Sequence, residues 1–407
     1  MKILIVNKFY WRKGGSERVM FDLARGYERA GHEVVPFAMA SPQDEPSEYA
    51  RYFVPNVEYH GAAPAVRARA AIDVVHSADA KRRLARLIAD VRPDVAHLHN
   101  FHHQLSPSIV DALREASVPA VHTLHDYKVI CPNYLLYTEG APCVRCRGGR
   151  FFEAVRHRCV HGSRAASLVS FVEMTWHDRR RTLARGVRRF VAPSRFLAEK
   201  LREFDFGGDA VRVVPNGIDS SEFSTAKGPG HGFLYAGRLS AEKGVGTLVE
   251  AAARARVPLE IAGDGPASED LRRRAQQSGA DVRFLGRLDR EPLLERLRGA
   301  RAVVLPSEWY ENAPMAALEA LASGVPVVGS AIGGIPEMVR DGETGLVFEP
   351  RSVEGLAACL VRLDAEPDFA HRLGARGREV VEREFSLADQ VDRMLEILGE
   401  VTSSASR

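Results

Sequence analysis

The feature that most constrains this chain is an alternation of short β-branched runs with amphipathic helical stretches, sustained from end to end. In the first half KILIVN, EVVPFAM, DVAHLHN, AVHTLHD, FVAPS and VRVVPN read as strands. The second half repeats the scheme with GFLYAGRL, LEIAGDG, VRFLGRL, AVVLPS, PVVGSA and LVFEP. Helical patterns such as 16–32 and 79–91 fall between them. Strands alternating with helices predict parallel sheets covered on both faces. At 407 residues the chain exceeds one ordinary core. The expected fold class is therefore α/β, with two doubly wound, Rossmann-like domains facing a central cleft. An aperiodic stretch rich in Gly, Ser and Pro, 217–232, reads as their connection. The expected boundaries are 1–215, with an insertion at about 127–163, then 216–385, then a helix and tail at 386–407 that packs back on the first domain.

No apolar run approaches the roughly 18 residues of a spanning helix. The apolar run before Lys8, Arg12 and Lys13 is too short for a signal peptide, so a cytoplasmic protein is expected. Net charge is only +3, and nothing resembles a nucleic-acid-reading module, so no nucleic-acid partner is expected. The charge is unevenly placed. Residues 145–189 hold 12 Arg and no Lys against Glu153, Glu173 and Asp178, a net +9, which leaves about −6 for the remainder. A concentrated basic segment suits an anionic surface such as lipid headgroups.

In doubly wound sheets ligands sit beyond the carboxyl ends of the strands, so each strand-to-helix loop is a candidate site. In 235-YAGRLSAEKGV-245, Arg238 and Lys243 flank a helix start. A guanidinium, an ammonium and helix-start amides together suit a diphosphate; a solvated surface loop is the alternative. In 13-KGGSERV-19, Gly14 and Gly15 follow the first strand and would let a ligand approach the backbone, although a plain strand–helix turn has the same pattern. The third loop is 308-EWYENAPMAALEALASG-324, with Glu311 before a helix and Glu319 inside it. Pro314 suits the first turn of that helix, and the backbone of Asn312, Ala313, Pro314 and Met315 offers helix-start donors. No D-x-D occurs, so a bound diphosphate would be neutralised by Arg238, Lys243 and helix ends.

Taken in order, KGGSE (13–17), PNGID (215–219), AGRLSAEKG (236–244), IAGDGP (261–266), VRFLGRL (282–288), ENAPMAALEALASGVPVV (311–328) and GGIPEMVRDGETGLVFEP (333–350) resemble the retaining glycosyltransferases of family 4, which have the GT-B fold. The resemblance implies an acceptor-side first domain and a nucleotide-sugar-binding second domain. It implies that Arg238 and Lys243 hold the donor diphosphate, and that Glu319 binds the ribose. Glu311 with Asn312–Met315 would hold the transferred hexose, and Gly14 and Gly15 would close on the phosphates. A histidine after the fourth strand contacts the reacting sugar in such enzymes; here that is His125, with His122 the competing assignment. No catalytic cofactor is implied. The partners implied are a UDP- or GDP-linked sugar donor and a lipid-linked or growing glycan acceptor of cell-surface polysaccharide assembly. A soluble transferase onto a small sugar or inositol phosphate, a sugar-nucleotide epimerase of similar shape and a non-catalytic nucleotide-sugar-binding partner are the rivals. The ENAPM sequence departs from the frequent Glu-x-Phe-Gly version, which leaves the donor sugar open.

Four cysteines, Cys131, Cys143, Cys146 and Cys159, fall within 29 residues of the insertion. Clustered thiols in a reducing compartment, two of them at C-x2-C spacing, suit a structural zinc; four ordinary thiols are the alternative. The insertion leads into 164–189, where Leu168, Phe171, Val172, Met174, Thr175 and Trp176 precede Arg179, Arg180, Arg181 and Arg185. That order suits a helix lying on an anionic membrane, which would make the protein peripheral to the inner membrane face. A core helix with a solvated arginine end fits equally.

Overall fold

The computed structural model describes residues 1–56, 63–103 and 105–405; of residues 64, 67, 404 and 405 it describes only the backbone. The last two residues of the expected tail, 406 and 407, lie outside the described residues. Contacts divide the chain into two compact units. One holds Met1–Thr138, Val144–Pro215 and the segment from Leu387 onward; the other holds Glu139–Cys143 and Asn216–Ser386.

The first unit is built on a six-stranded parallel sheet of β1 (Lys2–Val6), β2 (Glu33–Phe37), β3 (Val95–Leu98), β4 (Ala120–Thr123), β5 (Arg189–Ala192) and β6 (Val211–Val213), in the order β6-β5-β4-β3-β1-β2. Ile3, Leu4, Ile5 and Val6 are all buried because a parallel strand is covered on both faces, which explains the unbroken apolar run. The helix Gly15–Arg29 follows β1, and the C-terminal helix Leu387–Ala405 packs against it. Val391 comes so close to Gly26 that a Cβ there would lie 2.3 Å from it.

The second unit has a six-stranded parallel sheet of β7 (Phe233–Ala236), β8 (Leu259–Ala262), β9 (Val282–Gly286), β10 (Ala302–Leu305), β11 (Val327–Ser330) and β12 (Gly345–Phe348). Its order, β9-β8-β7-β10-β11-β12, is that of a dinucleotide-binding half-wound pair, with the reversal between its first and fourth strands. All twelve strands fall on the runs read as strands from the sequence. Helices such as Val245–Ala255 and Val353–Ala365 cover the sheet with Leu248, Val249, Leu356 and Leu360, each fully buried.

The insertion holds a two-stranded ribbon, Tyr137–Thr138 with Ala141–Pro142, and a short helix, Glu153–Arg156. Cys146 is buried against Phe151 and Met174, so apolar packing on the helix Arg164–Arg180 anchors this long loop. The Cys131 thiol donates to Asn133 Oδ1 at 2.8 Å, and Cys143 falls in the other unit. None of these thiols is in a disulfide, and among the described residues no group of three or more His, Cys, Asp or Glu could hold a metal ion.

Candidate functional site

In the second unit the sheet reverses between β7 and β10, so the loops leaving these two strands flank the crevice where such sheets bind ligands. The β7 loop carries Arg238 and Lys243, and the β10 loop carries Glu311. Arg238 is exposed, and its carbonyl accepts from Tyr235 Oη at 2.8 Å. Lys243 is half-buried, with Nζ 2.7 Å from Glu311 Oε1 and 5.0 Å from the centre of the Trp309 ring. Two residues 68 apart in sequence thus meet as one ion pair.

Glu311 is buried, and Ser307 Oγ also donates to its Oε1 at 2.6 Å. Burial alone would raise the carboxyl pKa. The Lys243 ammonium and the hydrogen bonds from Lys243 and Ser307 outweigh it and hold the group below the ordinary glutamate value, so it stays ionised. The Glu311 carbonyl accepts from Gly334 N at 2.7 Å. Glu308 accepts from Thr247 Oγ1 at 2.8 Å and pairs with Arg351 Nε at 3.1 Å, which ties the β10 loop to the helix after β7. Ser307, Glu308, Thr247, Arg351 and Gly334 had no role in the sequence reading. Apart from that of Ser307, four residues from Glu311, their contacts are long-range, and only the motif GGIPE carried a signal.

The helix after Glu311 spans Met315–Ala322, and Pro314 is its N-cap rather than its first helical residue. Pro314 contributes no N–H, so the first-turn donors are those of its neighbours. Asn312 and Met315 are buried, while Ala313 and Pro314 are half-exposed at the helix start. Glu319 is half-buried in the second turn.

Gly244 gives the β7 loop its shape. Its φ is +65°, and a Cβ there would lie 1.9 Å from the Pro306 carbonyl oxygen. Gly244→Ala is expected to destabilise the second unit by about 2–4 kcal/mol, because it adds left-handed strain to a main-chain clash. Urea unfolding checks this; an unchanged midpoint would show that the β7 and β10 loops are not held this closely.

In the first unit the reversal lies between β1 and β3. Asn7, at the end of β1, spans it: Oδ1 accepts from Asn100 N at 3.0 Å and Nδ2 donates to Glu17 Oε1 at 3.3 Å. Gly14 caps the helix Gly15–Arg29 with extended backbone, and a Cβ there would make only an ordinary 3.5 Å contact with Glu17. The fold therefore does not need a glycine at 14, and Gly14 and Gly15 are exposed.

The two candidate histidines have different surroundings. His122 ends up buried, with Nε2 3.0 Å from the His99 carbonyl oxygen. His125 is half-buried, two residues past the end of β4, with Nε2 2.8 Å from His99 Nδ1 and the rings stacked at 5.1 Å. Burial lowers His125 to about 4 and holds His122 well below the ordinary value. Both rings are neutral at pH 7, so His125 can donate from one nitrogen and accept at the other. His99, which seats it, was not singled out from the sequence, although the run HLHNFHH marks a histidine-rich strand end.

Comparison with known proteins adds to this geometry. The family model described as Glycosyltransferase Family 4 matches residues 13–222. The chain belongs to glycosyltransferase family 4. A second model, Glycosyl transferases group 1, matches residues 219–380. Glycogen synthase of Mycobacterium tuberculosis is 32% identical over 307 residues, 72% of this chain and 66% of that protein. The GDP-mannose-dependent monoacylated alpha-(1-6)-phosphatidylinositol monomannoside mannosyltransferase of Corynebacterium glutamicum is 36% identical over 172 residues, 40% of this chain and 45% of its own length. The matches thus span less than two thirds of these relatives. Among solved structures, sucrose-phosphate synthase from Thermosynechococcus elongatus superposes with a TM-score of 0.72 at 20% identity, covering 99% of this chain and 100% of that one. The family 4 chain has the GT-B fold of two Rossmann-like domains.

Proposed function

We propose that this chain is a retaining glycosyltransferase that moves a hexose from a UDP- or GDP-linked sugar to a lipid-linked or growing glycan during cell-surface polysaccharide assembly. The observation that carries the proposal is the pairing of Lys243 with Glu311 across the reversal point of the second sheet, beside exposed Arg238 and the start of the helix Met315–Ala322. Arg238 and Lys243 offer positive charge to a diphosphate, and Glu319 offers a carboxylate to a ribose diol. Glu311, with Asn312 and Met315, faces the sugar. Its carboxylate orients hydroxyls and stabilises positive charge as the glycosidic bond to phosphate breaks. His125 donates to or accepts from a hydroxyl of the same sugar. The charge that a D-x-D-held metal would supply comes here from Arg238, Lys243 and helix-start amides. The named relatives support the acceptor class, one being a synthase of a glucan and the other acting on a glycolipid.

A thermal-shift panel of UDP-, GDP- and ADP-sugars, with and without EDTA, tests the reading. One donor should raise the melting temperature by mass action, chelator should leave the shift intact, and nucleoside diphosphate should be released once a glycan or lipid-linked acceptor is added. Epimerised donor in the absence of acceptor, or a shift abolished by EDTA, would reject it.

Membrane association is part of the proposal. Among the described residues no helix is long and apolar enough to cross a membrane. In the helix Arg164–Arg180, two apolar positions expected at the membrane do not face it: Met174 is buried and Phe171 packs against the same small core. Ser167, Ser170, Glu173 and His177 face inward, while Leu168, Val172 and Trp176 form an exposed stripe. Arg180 stacks over Trp176 at 5.4 Å, and exposed Arg179, Arg181 and Arg185 continue the stripe. An apolar stripe edged with arginine complements an anionic bilayer. Replacing Arg179, Arg180 and Arg181 by Ala should weaken binding to phosphatidylglycerol vesicles roughly 100-fold, at about 1 kcal/mol per arginine. Wild-type protein that fails to sediment with such vesicles would end the membrane reading.

A further inference from the structure

A cavity of about 360 Å³ lies within the first unit, beneath the inward face of the helix Arg164–Arg180. Small-molecule sites commonly occupy about 300–1,000 Å³. None of the loops assigned above to the donor lines it. Its walls are Phe151, Met174, Leu183, Phe190 and Phe206, contributed by the insertion, the helix Arg164–Arg180, the short helix Thr182–Gly186, β5, and the loop after the helix Arg195–Glu203. Its polar end is Glu173 and His102.

The Glu173 side chain is 1% exposed, and its Oε2 pairs with Lys128 Nζ at 2.8 Å. Glu173 Oε1 has no hydrogen-bond partner and stands 3.5 Å from His102 Nδ1; neither nitrogen of His102 has a hydrogen-bond partner. Glu173 Oε1 and His102 Nδ1 thus face each other at ion-pair distance with no well-formed hydrogen bond, and His102 Nε2 has no hydrogen-bond partner; buried polar atoms so placed are costly unless something else completes them. Here they form the polar end of an apolar-walled cavity, whose occupant must bring hydrogen-bond donors and an acceptor.

The surrounding charges narrow the occupant. A hydrocarbon tail would leave Glu173 Oε1 unpaired. An ammonium would sit beside Lys128, which already neutralises that carboxylate. A phosphate would meet Asp178 and Asp205 against the single Arg181 at the rim. A neutral polyol with an apolar face satisfies all three constraints: its hydroxyls serve Glu173 and His102, and its C–H face packs on phenylalanine. We infer that the cavity is a pyranose-binding site, separate from the donor site. The inference does not depend on the transferase reading, because binding alone is its readout.

Saturation-transfer NMR with methyl glucopyranoside, galactopyranoside and mannopyranoside tests it on the full chain. Wild type should bind at least one of them. Ala184→Trp, at an exposed position lining the cavity, should weaken that binding at least about tenfold while the melting temperature holds. The double variant Lys128→Met/Glu173→Leu removes the ion pair as a unit, so no unpaired charge remains, and should lose binding as well. Lys243→Met, in the other unit, should keep it while losing nucleotide-sugar affinity, which separates failure of this site from failure of the donor site. Hexyl pyranoside binding more tightly than methyl pyranoside assigns the sugar of a glycolipid; equal binding assigns the sugar alone. No pyranoside binding by wild type, binding that persists in Ala184→Trp, or capture of benzene in place of pyranosides would overturn the inference.

Discussion

Replacing Lys243 by Met is expected to lower kcat/KM roughly 10²- to 10³-fold, the scale of losing one preorganised electrostatic contact in a transferase site. Two losses combine in this variant. The donor diphosphate loses a cation, and Glu311 keeps a buried carboxylate with Ser307 as its remaining donor among the pair of contacts described above. The second loss should appear as about 1–3 kcal/mol of destabilisation, the cost of an under-satisfied buried acceptor. Adding Glu311→Gln to Lys243→Met should therefore restore stability without restoring turnover, because the amide needs no counter-charge. Steady-state kinetics and urea unfolding on the single and double variants separate the two effects. A Lys243→Met enzyme with wild-type kcat/KM would remove the β7 loop from the donor site.

The first unit is expected to lose stability steeply as pH falls below about 6.5. His97, His99 and His122 are almost fully buried. Burial, with neighbouring histidines, lowers His97 to about 3 and keeps His99 and His122 well below the ordinary value. Between about 6.5 and the folded-state values, the unfolded chain takes up protons that the native chain refuses. Each such histidine removes about 1.4 kcal/mol per pH unit, so three remove about 4 kcal/mol per unit. Against a domain stability of about 5–15 kcal/mol, the unit should unfold within a few pH units. Glu173 acts at lower pH. Burial opposes its ionisation, but Lys128 overrides this and depresses its pKa, so its stabilisation is present above the ordinary glutamate value of about 4.3 and is lost as pH falls further. The second unit's two histidines, His231 and His371, are exposed. Urea midpoints at pH 7.5, 6 and 5 provide the check. A first-unit midpoint that stays level across that range would show that these histidines are not held neutral by the fold.

Much of the architecture was legible because its signals are local. Central strands such as β1, β10 and β11 are short, largely apolar runs, as strands covered on both faces must be. The loop positions of Arg238, Lys243, Glu311 and His125, and the helical one of Glu319, followed from counting along the strands. Local patterns also misplaced a detail: Pro314 sits one residue earlier in its helix than the first-turn preference predicts, because its ψ of 112° is not helical. For the cysteines, spacing did not announce that the thiol of Cys131 bonds to Asn133 or that Cys146 packs in a small apolar core. Spacing along a chain does not report which direction each side chain takes.

By itself, the sequence determined the strand–helix alternation, the candidate loops and the concentration of arginine after the insertion, all of which are short-range in the chain. Tertiary structure alone decided that Lys243 and Glu311 meet at 2.7 Å, that His125 rests on His99 while His122 is buried, and that Glu173 turns inward from a helix whose apolar stripe faces out. The physical reason is that strand order in a sheet is set by packing of whole elements. Residues 68 apart become neighbours only once β10 pairs with β7.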